Sequence, residues 1–515
     1  MTKFSDSKSQ ALQLNSNLLE PKESSMKVRD TTEFLRLHTV RVTVISLLLL
    51  APCFWHKRIE TGDLPSHTYN AWLAQLIERA DAPGLYIVRQ WNNVMTDLAL
   101  EHLGNMLGLH AAEKIVVAAS VLIFFWGTFA FISAASLRAP WVLVPGIAMI
   151  TYGWTFHSGF MNYYISLGLA FFAAALFWRG SAGDRIVATV LSGLVWLAHP
   201  MGLLCLAGMV AYVKLAEILR GWYRWGLFLL ALMAVWAAHA YLMRFRTMFW
   251  ETRNFYLMNG ADQISLFGDR YVKLAWAVLI FGSLCFLSGV IREWKSAPSR
   301  WAFRTPLELW TVLLFAAAMI PEVVWLPQYP MLVGLIVSRL TSVTAVLGLC
   351  VLASVRPRKW HLVGLAACAA VFFVFIYQDT GVLNKMEQQA ESLVHDLPYG
   401  RRVVETISAP LDWRIWFINH IVDRTCIGRC FAYANYEPPS GQFRIRVRQV
   451  SPVVAHTPDE SEALETGSYI VQAQDLPMVQ IYQCDEQDLS KLCLRELTVG
   501  EKNGRVGHPS PFAAP

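Results

Sequence analysis

Residues 58–77 read RIETGDLPSHTYNAWLAQLI and hold the side chains best suited to chemistry. Asp63 follows Gly62 and stands just ahead of Leu64 and Pro65, at the mouth of a helical pattern. A carboxylate in reach of a hydroxyl can take its proton while the oxygen attacks, a general-base effect of roughly 10²–10⁴-fold. The bland alternative is an N-cap: Asp before a Pro-started helix is a favoured cap worth about 1 kcal/mol. One residue can do both. His67, one turn later, could orient Asp63 or bind an acceptor. His157, Asn162 and His199 lie at the ends of apolar segments, where an interfacial polar residue is the simpler reading. His199 precedes Pro200, where a helix can break.

Cations that could hold a leaving anion are Arg339 in LIVSRLTSV and Arg244, Arg246 and Arg253 in MRFRTMFWETRNFY. Arg339 lies well inside an apolar segment, where an unpaired charge costs several kcal/mol. It should therefore face a cavity, pair with an acid such as Glu322, or lie nearer the surface. The other three have a plainer use, meeting lipid headgroups at a membrane surface. The chain has no GxxxxGK[ST], GxGxxG or HExxH element, so nucleotide and zinc-protease chemistry lack support.

Of nine cysteines, Cys53, Cys205, Cys285, Cys350 and Cys368 stand singly in apolar runs, as small hydrophobes do. The other four form two near pairs, Cys426 with Cys430 and Cys484 with Cys493. That pattern fits disulfides in an oxidising compartment. The rival is a structural zinc site, and no His is spaced to join either pair.

The elements that must carry these residues are membrane spans. Of 515 residues 55% are hydrophobic and 16% charged, where a soluble chain has about a quarter charged. Apolar segments fall at 38–55, 115–136, 140–154, 160–178, 186–198, 201–218, 225–243, 272–291, 307–321, 331–354 and 360–378. These predict a polytopic all-α membrane protein of about eleven spans. The polar N-terminal tail, residues 1–37, carries Lys and Arg. So do the alternate loops that hold Arg138, Arg179 and Arg185, Arg220 and Arg224, Arg300 and Arg304, and Arg356 and Arg358. Basic loops stay cytoplasmic, so the tail is expected inside and poorly ordered. The loops at 56–114 and 244–271 and everything after about 379 are then expected outside. The first apolar segment lacks a small-residue cleavage site and reads as an anchor. The net charge of +6 is spread over short loops and forms no nucleic-acid face.

In the first outer loop, Tyr69, Trp72, Leu73, Leu76 and Ile77 recur at helical spacing, as do Trp91, Val94, Met95 and Leu98. Both stretches are too short to span and suit helices lying along the interface. The region 379–515 turns polar and mixes a helical pattern (NKMEQQAESLVHDL) with alternating strands (QFRIRVRQV, SYIVQAQDLPMVQIYQC), which predicts a small α+β domain.

With GDLPSHTYNAW, TFHSGFMNYYISLGLAFFAAALFW and WLAHPMG, the region 38–378 resembles the GT-C superfamily of integral-membrane glycosyltransferases. That group includes the oligosaccharyltransferase catalytic subunit, the protein O-mannosyltransferases and the lipid A aminoarabinose transferases. The resemblance implies a polyprenyl-phosphate-linked sugar donor and an envelope glycan, lipid or protein as acceptor. It also implies membrane lipid around the spans and Asp63 as the base of an inverting displacement. Many members carry two adjacent acids in this loop. Here Asp63 has Gly62 beside it and Glu60 as its nearest acid, so a divalent metal stays open without support from the pattern, and no other cofactor is called for. Two other readings remain. One is a membrane-anchored envelope assembly protein that binds glycan through Tyr433, Tyr436 and Phe443. The other is a lipid-linked transporter or flippase, which would call for charges at mid-membrane and repeat symmetry.

Overall fold

The computed structural model describes residues 31–249, 258–293, 300–325, 333–407, 409–410, 413–415, 420–448, 450–485, 488 and 490–504, the side chains of 31–37, 246–249, 293 and 300–302 excepted. The polar tail up to residue 30 and the terminal GHPSPFAAP lie outside these residues. The chain divides into residues 1–48 and 49–515. In the first unit, residues 31–48 belong to the helix Thr31–Phe54. The second unit holds the other described residues.

The molecule is mostly helical. Among the described residues seven helices are long and apolar enough to cross a membrane: Leu109–Ser136, Met161–Arg179, Pro200–Ile218, Trp222–Leu242, Asp269–Arg292, Ile336–Ser354 and Lys359–His395. Helix Trp222–Leu242 turns Trp222, Tyr223, Leu230, Met233 and Trp236 outward, as lipid-facing residues of a span do. Helices Ala182–Ala198 and Arg300–Met319 occupy two further apolar segments.

Segment 140–154 departs from the expected single helix. It holds a 3-10 turn, Trp141–Leu143, then an eight-residue helix, Val144–Thr151, and a turn before the short helix Trp154–His157. Pro140 and Pro145 remove backbone donors there. Eight residues reach only about 12 Å, well short of the roughly 30 Å hydrocarbon core.

Helices Leu109–Ser136 and Met161–Arg179 pack in parallel. The Phe124 ring stacks on Tyr164, with centroids 4.5 Å apart, and Phe131 stacks on Phe171 at 5.5 Å. Between these contacts Gly127 and Gly168 let the two backbones meet. A Cβ on Gly127 would lie 2.2 Å from the Gly168 carbonyl oxygen, and one on Gly168 would lie 2.7 Å from the Phe124 Cα. Residues 137–160 therefore run back alongside the first helix, past the level of Phe124, before the second begins.

The last long helix, Lys359–His395, joins the expected final span to the expected separate amphipathic helix without a break. Its 37 residues reach about 55 Å. Beyond it strand Arg402–Thr406 pairs in parallel with Phe431–Ala432 on one side and Met478–Gln483 on the other, and the latter pairs antiparallel with Leu492–Glu496. Disulfides join Cys426 to Cys430 and Cys484 to Cys493.

A separate ladder ties this region to the first loop: Leu85, Tyr86 and Ile87 pair antiparallel with Val447, Arg446 and Ile445. Helix Leu64–Glu78 is held the same way. The Ser66 hydroxyl donates to Glu437 Oε1 (3.1 Å), the Tyr69 hydroxyl accepts from the Ala432 amide (3.0 Å), and Asn435 Nδ2 donates to Asn70 Oδ1 (3.0 Å). Its apolar spacing suggests a helix lying flat on a lipid interface, and instead it is buried in protein from Leu64 to Ala74. Its polar face has partners from residues 432–437, and Ala71 packs with Leu100 and Val116. The second loop helix, Met95–Leu107, keeps Leu98, Met106 and Leu107 exposed.

Candidate active site

Asp63 occupies the N-cap position of helix Leu64–Glu78, yet its side chain makes no capping hydrogen bond. Backbone contacts fix it instead. The Gly62 and Asp63 amides donate to the carbonyls of His157 (2.8 Å) and Ser158 (3.1 Å). Gly159, at φ +77°, permits that approach, because a Cβ there would lie 2.3 Å from the Asp63 nitrogen. The stretch FHSGFMNYY thus cradles the Asp63 backbone and leaves the carboxylate free to turn elsewhere. It lies 3.8 Å from His420 Nε2 and remains 15% exposed. Burial raises its pKa above the ordinary carboxylate range, opposed by the charges of His420, then His67 and Arg339. A carboxylate so raised is a stronger base.

His67 does not bond Asp63 directly. Its Nδ1 lies 2.8 Å from Asp97 Oδ1 and 3.5 Å from Glu437 Oε1. Burial works to lower its pKa, but Asp97, Glu437 and Asp63 outweigh burial and lift it to about 10, so it is an imidazolium at neutral pH. Asp97 moves the other way: burial raises it, and the His67 charge and hydrogen bond pull it below its usual range. Asn162 fixes Asp97, donating to its Oδ2 (2.8 Å) while accepting from the Thr96 amide (2.7 Å). Asn162 therefore serves the site through Asp97.

Arg339 lies in the first turn of helix Ile336–Ser354, with its guanidinium 4.2 Å over the Phe160 ring. Its Nε is buried and finds no hydrogen-bond partner among the described residues. Glu322 spends one carboxylate oxygen capping that helix, accepting from the amides of Val337 (3.0 Å) and Ser338 (3.1 Å). A donor that is buried, charged and unsatisfied at this point suits an anionic ligand.

The remaining candidates fall elsewhere. His157 is buried with Nδ1 against the Glu60 carbonyl (3.3 Å), and burial lowers its pKa to about 4. It braces the loop as a neutral ring. His199 caps helix Pro200–Ile218, its Nδ1 accepting from the Met201 amide (3.1 Å), where the chain breaks before Pro200. Arg244 is exposed just beyond helix Trp222–Leu242. The Arg246 side chain and all of Arg253 lie outside the described residues. Among the described residues no three His, Cys, Asp or Glu side chains converge as a metal would require.

Several residues of the cluster escaped sequence reading. His420, Asp423 and Glu437 come from the C-terminal region, and Tyr436 closes over them with its ring 5.4 Å from His420 and 5.6 Å from Phe443. Phe443 also edges His67 at 6.5 Å. Of the three aromatics expected to bind glycan, Tyr433 instead belongs to a buried apolar cluster with Val404, Leu464 and Met478, its hydroxyl bonded to Asp475. Asp97 had a visible signal, an acid in the first turn of a helix within the first long loop. For His420 the only signal was HIVDR ahead of a cysteine pair, which puts His420 and Asp423 one helical turn apart.

Arg424 anchors the short helix Ile421–Thr425 that follows His420. Its guanidinium donates to Glu387 through Nε (2.8 Å) and Nη2 (2.5 Å), to Glu113 Oε1 (2.7 Å), to Glu60 Oε2 (3.4 Å) and to the Ile59 carbonyl (3.1 Å). Arg58 makes a further contact to Glu387. One cation thereby joins the first loop and two long helices to the C-terminal region.

No known protein family, curated protein or solved structure matches the chain.

Proposed function

We propose that the chain is a membrane glycosyltransferase of the GT-C type that moves a sugar from a polyprenyl-phosphate carrier to an envelope acceptor on the outer face. The observation that carries this reading is the Asp63 carboxylate. It holds the cap position, leaves capping unperformed, and faces a cluster that contains Arg339, His67 and His420. In the reaction the acceptor oxygen attacks the anomeric carbon while Asp63 takes its proton. The bond from that carbon to the phosphate oxygen breaks, its electron pair stays on the phosphate, and the configuration inverts. Arg339 is the donor available to the charge that the phosphate gains, and Tyr436 and Phe443 offer faces for the acceptor.

The membrane topology in this reading has eleven crossings. The parallel packing of Leu109–Ser136 and Met161–Arg179 supports the count, because it requires residues 137–160 to return across the bilayer as a broken span. The ladder between residues 85–87 and 445–447 supports a first loop and C-terminal region on one side, opposite the basic loops. The test replaces Asp63 by Asn and by Ala in cells that lack the wild-type gene, with membrane levels checked. The expected result is the envelope-glycan defect of the full deletion. Wild-type glycans in both variants, where the deletion alters them, refute the assignment.

A further inference from the structure

We propose that His420 is the cation that keeps the Asp63 carboxylate ionised, so that the C-terminal region supplies a working part of the site. The geometry is a relay of charges: Asp63 Oδ1 lies 3.8 Å from Nε2 of His420, and Nδ1 lies 3.1 Å from Asp423 Oδ2. The imidazole is thus held between two carboxylates on opposite edges, and both its nitrogens face acceptors. Its side chain is 8% exposed and that of Asp423 5%, so solvent screens the contact weakly.

Beside His420 lies a void of about 10 Å³ lined by Glu405, Asp423 and Glu465 together with valine and alanine side chains, with room for one water at most. The helix that follows His420 cannot drift. Arg424 clamps it to the first loop and the long helices, and the Val422 amide donates to Glu405 Oε2 (3.2 Å).

The other charges near Asp63 are committed differently. His67 is engaged by Asp97 and Glu437, and the Arg339 guanidinium lies over Phe160. Asp423 and Glu465 face His420 from its own helix and from helix Pro458–Thr466, and both favour the imidazolium. In agreement, burial lowers the His420 pKa but its carboxylate neighbours raise it to about 9. Among the groups that oppose the upward push of burial on Asp63, His420 is the strongest. An opposite charge at this range moves a carboxylate by about 1–3 pH units.

The catalytic meaning of this pair rests on Asp63 being the base, but the pair itself can be measured without substrate. Full-length protein in lipid nanodiscs is treated with a diazo ester, which esterifies protonated carboxyl groups, across about pH 4–9. Asp63 modification is then counted by peptide mass spectrometry. In H420Q, where the amide can still donate to Asp423, the Asp63 midpoint is expected to rise by at least one unit, tenfold in proton affinity. In H420N, a shorter amide that also ends the ion pair, the same rise is expected; Asp423 is left in place because its own charge repels Asp63 and its removal would push the midpoint the other way. Thermal melting identifies folded variants, and H420N decides the matter if H420Q does not fold. An unchanged midpoint in a folded variant overturns the proposal. A shifted midpoint in H420Q together with wild-type glycans in Asp63→Asn keeps the ion pair and removes only the base.

Discussion

Replacing Arg424 by Ala removes the one cation, among the described residues, that touches Glu60, Glu113 and Glu387 together. Their side chains are 5%, 1% and 0% exposed, so none can turn to water without opening the structure. Of the three, Glu387 keeps a second ion pair, with Arg58. Leaving a buried charge uncompensated costs about 3–5 kcal/mol; Glu387 bears most of it, whereas Glu60, its carboxyl pKa held well above the ordinary range by burial and Glu387, loses a hydrogen bond. Against a typical total stability of about 5–15 kcal/mol, the variant should be severely weakened. For a chain of this size about 1–2 °C per kcal/mol is reasonable, extrapolating from smaller domains, so melting in detergent should fall by roughly 3–10 °C. Lysine keeps the charge but loses the two-pronged contact with Glu387, and R424K should fall between R424A and wild type. The assay is the loss of the monodisperse size-exclusion peak after heating, read at one fixed heating rate because membrane proteins often unfold irreversibly. An R424A melt within a degree of wild type would mean that these side chains do not depend on the guanidinium, and the clamp would be wrong.

Other expectations rest on the same contacts. The His67 pKa is raised from its ordinary 6.5 to about 10, so its ion pairs stabilise the fold fully below about pH 6.5 and lose that contribution as pH rises through 10. H67Q should therefore be less stable than wild type by roughly 2–4 kcal/mol near pH 6, a gap that closes toward pH 10; melting curves across that range check it, and a constant gap refutes it. Asn162→Ala leaves the Thr96 amide without its acceptor and takes the Asn162 donor from Asp97 Oδ2, at a cost of about 1–3 kcal/mol, visible as a lower melt. Gly159→Ala puts a Cβ against the Asp63 backbone at a positive φ. It should abolish the glycan phenotype of the wild-type gene at normal membrane levels, and full function in that variant would show that the loop need not approach so closely.

Much of the helical frame could be read from apolar runs, because a span needs length and hydrophobicity and both are local. The broken segment at 140–154 was legible only as an apolar stretch. Its return path is fixed by glycine contacts between Gly127 and Gly168, which no single window contains. Helix Leu64–Glu78 misled for a related reason. Tyr69, Trp72 and Leu73 give an interfacial pattern, and what buries the opposite face is Ala432, Asn435 and Glu437, more than three hundred and fifty residues away. Asp63 could be singled out because a carboxylate between Gly62 and Leu64–Pro65, beside a span, is unusual in itself. His420 could not, since its importance comes from the side chain it meets and not from its neighbours in the chain.

The contact between Glu113 and Arg424 bridges 311 positions, which orders events during synthesis. When the ribosome has released the early spans, Glu60 and Glu113 are already in place while their guanidinium has yet to be made. The nascent protein therefore passes through a stage with every early helix inserted and an acidic hollow awaiting closure. Completion of the chain, and with it of the cluster around Asp63, is the event that closes this hollow. A product terminated near residue 400 would keep its membrane address yet carry an exposed acidic seam, a mark by which quality control could tell it from the finished protein.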